Sequence, residues 1–225
     1  VNDLRAVWWI ARKDLLQEVR SKAVTVATLF FSAVTLGILA FAFGGSPELM
    51  RDGAMGALWV ALAFAGVISA AQSWQTDLED GALEALLIWP VPRAAVYLGK
   101  LLANWLLMVA LGLLLLPVAG GLYGADVGLG SPLLVAVVAS GTLGFALIAV
   151  FYAGLTANLR ARESLLPVLM FPVVVPILLA AVRASHAIVG LDDPTLAAAW
   201  LRLLVGFDLA YAVVCLVLFR FVVEA

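Results

Sequence analysis

Apolar residues run in long blocks along this chain, and polar residues gather in short clusters between them. A block of about 20 apolar residues is the length at which a helix crosses the hydrocarbon core of a bilayer. Six such blocks are read, at residues 23–43, 54–73, 97–120, 133–157, 164–182 and 198–222. Residues 3–22 have a different rhythm. Leu4, Val7, Trp8, Ala11, Leu15 and Val19 recur at helical spacing, covering an arc of roughly 120°. Lys13, Gln17 and Arg20 fall opposite. Trp8, Arg12 and Lys13 thus mark an interfacial helix, its apolar arc in the acyl boundary and its cations at lipid phosphates. Glu18 falls inside the arc and Trp9 outside it, so a frayed polar leader stands as the alternative. The predicted fold class is all-α integral membrane: one domain over residues 1–225, with six transmembrane helices preceded by an amphipathic interfacial helix.

Within two spans the pattern is finer. Ala57, Ala61, Ala65, Ser69 and Ser73 lie four apart, and Ala136, Ser140 and Gly144 repeat the spacing. Small residues let helices approach where lipid offers no hydrophobic driving force, so both stripes are expected at helix–helix contacts. The fifth span contains Pro167, Pro172 and Pro176. Each removes a backbone donor and clashes with the preceding turn. A kinked or discontinuous helix facing protein or a cavity is expected there, a candidate gate or pathway element, with a static kink as the alternative. Asp208, the one acidic residue well inside a span, is expected to face the bundle interior and to contribute to a polar gate. A local hydrogen bond, for instance to Tyr211, is the alternative.

Composition agrees with the pattern: 65% of residues are hydrophobic and 12% charged, against about a quarter charged in soluble domains. With the N-terminus inside, ten cations fall on inside segments and only Arg51, Arg183 and Arg202 outside. That bias predicts cytoplasmic termini. The charged first 22 residues do not suit a signal-peptide head and are expected to be retained. A net charge of -2 gives no reason to expect a nucleic-acid partner. Cys215 is the single cysteine, so neither an intrachain disulfide nor a Cys/His metal spacing is available.

Candidate chemistry is sparse. The pair Gly99-Lys100 lacks the glycine five positions earlier, where Ala94 stands, and the following Ser/Thr of a phosphate-binding loop. A phosphate-binding loop is therefore not read in this chain, which is expected to be non-catalytic. No catalytic partner is identified for Ser140, and His186, placed in an outside loop, reads more as a solvated residue than as a ligand. The informative segment is 77–92, an inside loop that is acidic at its start. Asp77, Glu79, Asp80 and Glu84 precede or flank Leu83, Leu86 and Leu87, and Pro90 and Pro92 end it. A short helix with an acidic surface suits docking on a soluble subunit, with a solvated loop as the alternative.

These residues carry a resemblance. Asp77-Leu78-Glu79-Asp80-Gly81, Leu83-Glu84, Pro90, Pro92, Lys100 and Trp105 look like the cytochrome c maturation protein B family, also called haem exporter protein B. The three-proline span after Arg160 and Arg162, and the basic opening helix, look like it too, in the same order over essentially the full length. Residues 72–76, Gln-Ser-Trp-Gln-Thr, depart from the charge often found there in the family. The resemblance implies a type-2 ABC exporter-like permease subunit in the bacterial inner membrane, working with a cytoplasmic ABC ATPase. It also implies haem-handling membrane subunits of the cytochrome c maturation system as partners, and a possible homodimer. Asp77, Glu79, Asp80, Gly81, Leu83, Glu84, Pro90 and Pro92 would then form the ATPase-coupling segment. No cofactor or metal is assigned to this chain, haem being expected only as cargo of the complex. A structural anchor for the ATPase, with no cargo crossing this chain, is the competing function. A self-sufficient ion-coupled transporter ranks last, because a repeat of the spans is not seen.

Overall fold

The structure is a computed structural model that describes residues 3–44, 46–79, 81, 92–127, 131–157 and 162–222, the last with side chains only for 165–219. Seven α-helices follow one another among these residues: α1 (Asp3–Ser21), α2 (Ala23–Phe43), α3 (Pro47–Glu79), α4 (Arg93–Tyr123), α5 (Pro132–Thr156), α6 (Arg162–Ile188) and α7 (Ala197–Val222), with a short 3-10 turn at Pro194–Leu196. Six of them, α2 to α7, are long and apolar enough to cross a membrane.

Local chemistry sets the ends. Pro132 opens α5 at a position where its missing N–H is not needed. The Pro92 carbonyl accepts from Ala95 N at 2.8 Å and opens α4. Gly124, at φ 64°, closes α4 in the left-handed conformation that glycine adopts without a Cβ penalty. Asp193 caps the 3-10 turn by accepting from Thr195 N at 2.9 Å. Its pKa is held below the ordinary carboxylate value by that bond.

α3, with 33 residues, and α4, with 31, are longer than the blocks read from hydropathy. At 1.5 Å per residue each exceeds the roughly 30 Å of hydrocarbon, so their ends project beyond the apolar layer. α3 and α5 form the centre. α3 packs on α2, α4, α5 and α6, and α5 on α4, α6 and α7. Of the first small-residue stripe Ala57, Ala61, Ala65 and Ser69 are buried in α3 and Ser73 is half-buried; of the second, Gly144 is buried in α5 while Ala136 and Ser140 are half-buried. Gly66 faces the Phe145 ring and the Met108 side chain with no room for a Cβ.

Large aromatic residues send their polar tips to groups on other helices. Tyr97 donates to Leu147 O at 2.8 Å, Trp74 to Val150 O at 3.2 Å, Trp105 to Ala139 O at 2.8 Å and Tyr123 to Leu36 O at 2.8 Å. A buried tyrosine or tryptophan thereby adds apolar area without leaving its donor orphaned.

α1 departs from the expected geometry. Ala6, Ile10, Ala11 and Glu18 are its buried residues, and it packs along α4, with Ile10 against Gly99. The expected apolar arc is split. Ala11 faces protein, while Leu4, Trp8 and Val19 are exposed and remain available to lipid. Glu18, an outlier to the arc, has a structural reason. Its carboxylate accepts from Thr25 N at 2.6 Å, Thr25 Oγ1 at 2.5 Å and Val24 N at 3.3 Å, covering the open N–H groups of α2. Between the two helices Lys22 takes a left-handed φ of 55°, which turns the chain from α1 into α2.

Candidate functional site

Four charges from three helices meet where the ends of α3 and α4 flank segment 80–91. Lys100 of α4 is entirely covered, and its ammonium lies 2.7 Å from Asp77 Oδ2 of α3 and 3.4 Å from Asp14 Oδ2 of α1. It also donates to Ser73 O at 3.0 Å and Ser73 Oγ at 3.1 Å, and sits 4.9 Å from the Trp74 ring centroid. Lys13 of α1 completes the group with a short bond to Asp77 and an ion pair to Asp14 at 3.0 Å. Burial disfavours the charge on Lys13. Asp14 and Asp77 more than offset this, so its pKa stands above the ordinary 10.5.

Two positive and two negative groups neutralise one another here. Isolated burial of an ammonium would cost several kcal/mol. The attraction of Lys100 to carboxylates 2.7 and 3.4 Å away, with hydrogen bonds to its remaining N–H groups, offsets that cost. The junction fastens α1, α3 and α4 together at one end of the bundle. It has the chemistry of a mechanical tie.

The residues read as ATPase-coupling divide accordingly. Asp77 belongs to α3 and not to a loop; it is 1% exposed and held by two ammonium groups, so it offers no acidic surface to a partner. Glu79, one turn-half further on, is exposed and accepts from Gln75 at 2.7 Å. Gly81 is exposed with φ 65°. Pro92 is exposed and opens α4. Asp80, Leu83, Glu84 and Pro90 lie outside the described residues. In the interfacial helix Trp8 is exposed, Arg12 sits 5.3 Å from the Trp9 ring centroid, and Lys13 is turned into the ionic junction instead of toward lipid phosphate.

A second polar contact lies within the spans. Asp208 of α7 is buried, and its Oδ2 accepts from Ser140 Oγ of α5 at 2.5 Å. Its Oδ1 has no hydrogen-bond partner and faces Gly144, whose missing side chain leaves room for it. The second small-residue stripe is therefore what admits the carboxylate. Tyr211, named as the local alternative partner, instead donates to Val173 O of α6 at 3.1 Å.

That bond bears on the prolines. α6 is a continuous helix through Pro167, Pro172 and Pro176, not a broken one. Tyr211 supplies a donor to the carbonyl one residue after Pro172, in the turn that Pro176 disturbs. The buried face of α6 carries Leu166, Met170, Val174, Ile177 and Ala181. Pro172 is exposed and Pro167 and Pro176 are half-buried, so the three do not together face a cavity. α6 also continues past the expected end of the span, taking in Ser185, which accepts from Trp59 Nε1 at 3.0 Å, and His186, which is thus helical and not in a loop.

Sequence reasoning missed Asp14, Ser73, Trp74 and Ser140 as partners, and treated Lys100 as one inside cation among ten. The signal was present: Lys100 falls inside an apolar block, and an intramembrane charge calls for a named counter-ion. Ser73 and Trp74 stand in the very stretch that departs from the family's usual charge, and both touch Lys100. Among the described residues no group of three or more His, Cys, Asp or Glu side chains could hold a metal ion.

Comparison with known proteins adds the family. The family described as CcmB protein matches residues 5–224. Heme exporter protein B of Escherichia coli (strain K12) is 31% identical over 99 residues, an alignment spanning 44% of this chain and 45% of that protein. The chain thus matches under half the length of that relative. Heme exporter protein B of Haemophilus influenzae is 29% identical over 185 residues, 82% of this chain and 83% of the relative. The protein of the same name from Paracoccus denitrificans is 29% identical over 200 residues, 89% of this chain and 91% of the relative. With a family match from near one end of the chain to near the other and six spanning-length helices in the fold, this chain belongs to the CcmB protein family.

Proposed function

We propose that this chain is the membrane permease subunit of an ABC-type complex in bacterial cytochrome c biogenesis. In this reading a partner subunit hydrolyses ATP, and the chain couples that hydrolysis to haem delivery or to release of a haem chaperone. It resides in the inner membrane with both termini cytoplasmic and works beside haem-handling membrane subunits and, in one arrangement, a second copy of itself. The observation that carries the coupling is the ionic junction. Segment 80–91 joins two helix ends that Lys100 and Asp77 lock together at 2.7 Å, with α1 held on by Asp14 and Lys13. A load applied to the segment is thereby shared by three helices.

The test uses the reconstituted complex. Replacing Glu79, Asp80 and Glu84 with neutral residues is expected to weaken copurification of the ATPase or to uncouple its hydrolysis, with normal levels of this chain in the membrane. Wild-type association and coupling in the triple variant would remove the mechanism. Asp208 is assigned a gating role at the α5–α7 contact. Full cytochrome c maturation by Asp208→Leu at unchanged protein level would remove that role.

The anchor reading has one observation in its favour. Gly66, Phe145 and Met108 close the space between α3, α4 and α5 at side-chain contact. In that reading the chain holds the ATPase and its energy remodels a partner.

A further inference from the structure

α2 rests mainly on α3 and touches α4 only slightly, which leaves a groove between α2 and α4 with α3 as its floor. The groove has two lobes. One, of about 270 Å³, lies under α1 and is lined by Asp14, Glu18, Gln72, Glu79 and Asn104 among others. The other, of about 200 Å³, continues between the helices past Leu29, Met108 and Leu111 to Leu114. Val24, Ser69 and Leu107 line both. Together they reach the size range of small-molecule sites, roughly 300–1,000 Å³.

The polar lobe is built for a donor. Its ionisable lining residues are Asp14, Glu18 and Glu79, of which Asp14 is paired with Lys13 and Lys100 and Glu18 with the N–H groups of α2. Asn104, 3% exposed and lining this lobe, gives its amide N–H to Ser69 Oγ at 2.8 Å and leaves its Oδ1 buried without a partner. An unsatisfied buried acceptor is destabilising, and a ligand that brings an N–H removes that cost. A primary ammonium brings three N–H donors. The apolar lobe asks that the same molecule carry a hydrocarbon chain.

We infer that this groove binds an aminophospholipid of the phosphatidylethanolamine type, drawn from the leaflet on the side of the N-terminus, with its ammonium at Asn104 Oδ1 and an acyl chain along α4. The phosphate lies toward the mouth, where Ser21 and Ala23 line the polar lobe on either side of exposed Lys22. Phosphatidylcholine has no N–H to give and is discriminated against for that reason. The site is independent of whether haem crosses the subunit.

The full chain, reconstituted in nanodiscs containing phosphatidylethanolamine, phosphatidylcholine and phosphatidylglycerol in equal amounts and then released, is examined by native mass spectrometry. Phosphatidylethanolamine is expected to be retained ahead of the other two. Asn104→Leu, which removes the unpartnered acceptor, should lower that retention about threefold, the scale of one hydrogen bond. Ala110→Phe, at an exposed position on the apolar lobe, should abolish retention of every lipid while helical content is unchanged. Equal retention of the three lipids, preference for phosphatidylglycerol, or insensitivity to both substitutions would overturn the assignment.

Discussion

Lys100 has no exposed side-chain surface, and two carboxylates and the Ser73 carbonyl surround its ammonium. Charge balance therefore governs the stability of the junction. Asp77→Asn leaves two ammonium groups against one carboxylate, and Lys100→Met leaves the reverse. Removing one partner of a buried pair costs about 3–5 kcal/mol, so each change should lower thermal unfolding in detergent by a large step. The double variant, which leaves Lys13 paired with Asp14, should lose less than the sum; strict additivity would mean that the four groups do not act together. Lys13 sets the pH response of the junction. Its pKa is raised by the two aspartates, so its contribution is complete below the ordinary 10.5 and is lost as pH rises through the raised folded value. Protection of α1 from amide exchange is therefore expected to hold steady from neutral pH to that point, and an earlier loss would exclude the pairing. Gly144→Ala drives a methyl into Asp208 Oδ1 and Ile177. A loss of about 1–3 kcal/mol is expected from such overpacking.

Helices carry the next set of consequences. α1 is held to α4 by the close approach of Ile10 to Gly99, where an added Cβ would stand 2.7 Å from Ile10 and 3.0 Å from Val7 O. Gly99→Leu should release α1 while the spans persist, seen as faster proteolysis confined to residues 3–22. Unchanged cleavage would show that α1 is not attached there. In α6 the exposed Pro172 lies within a continuous helix, and Pro172→Ala restores one backbone donor. Thermal stability is expected to rise. If it rises while maturation activity falls, the proline serves function; if maturation is unchanged, its role is structural. Element positions were legible from hydropathy because spans are long apolar blocks with proline and glycine punctuation. The ends of α3 and α4 were not, because turns beyond the hydrocarbon are polar and read as loop. Asp77 was misread for that reason: on sequence it opens an acidic loop, and only the α3–α4 packing reveals Lys100 beside it. Asp208 was correctly read as interior, yet its partner Ser140 lies 68 residues away and no local pattern signals it.

At the scale of the molecule, the family and six spanning-length helices define what the chain is, and the ionic junction suggests how it is worked. The central claim is that energy enters from a partner through segment 80–91. Site-directed cross-linking in the assembled complex tests it most directly. Glu84→Cys in that segment, in a Cys215→Ser background, should form a cross-link to the ATPase subunit whose yield changes between ATP-bound and ATP-free states. Glu48→Cys, at the opposite end of α3, should form none. A cross-link from Glu48→Cys alone, or a functional complex in which Glu84→Cys never reaches the ATPase, would contradict the account.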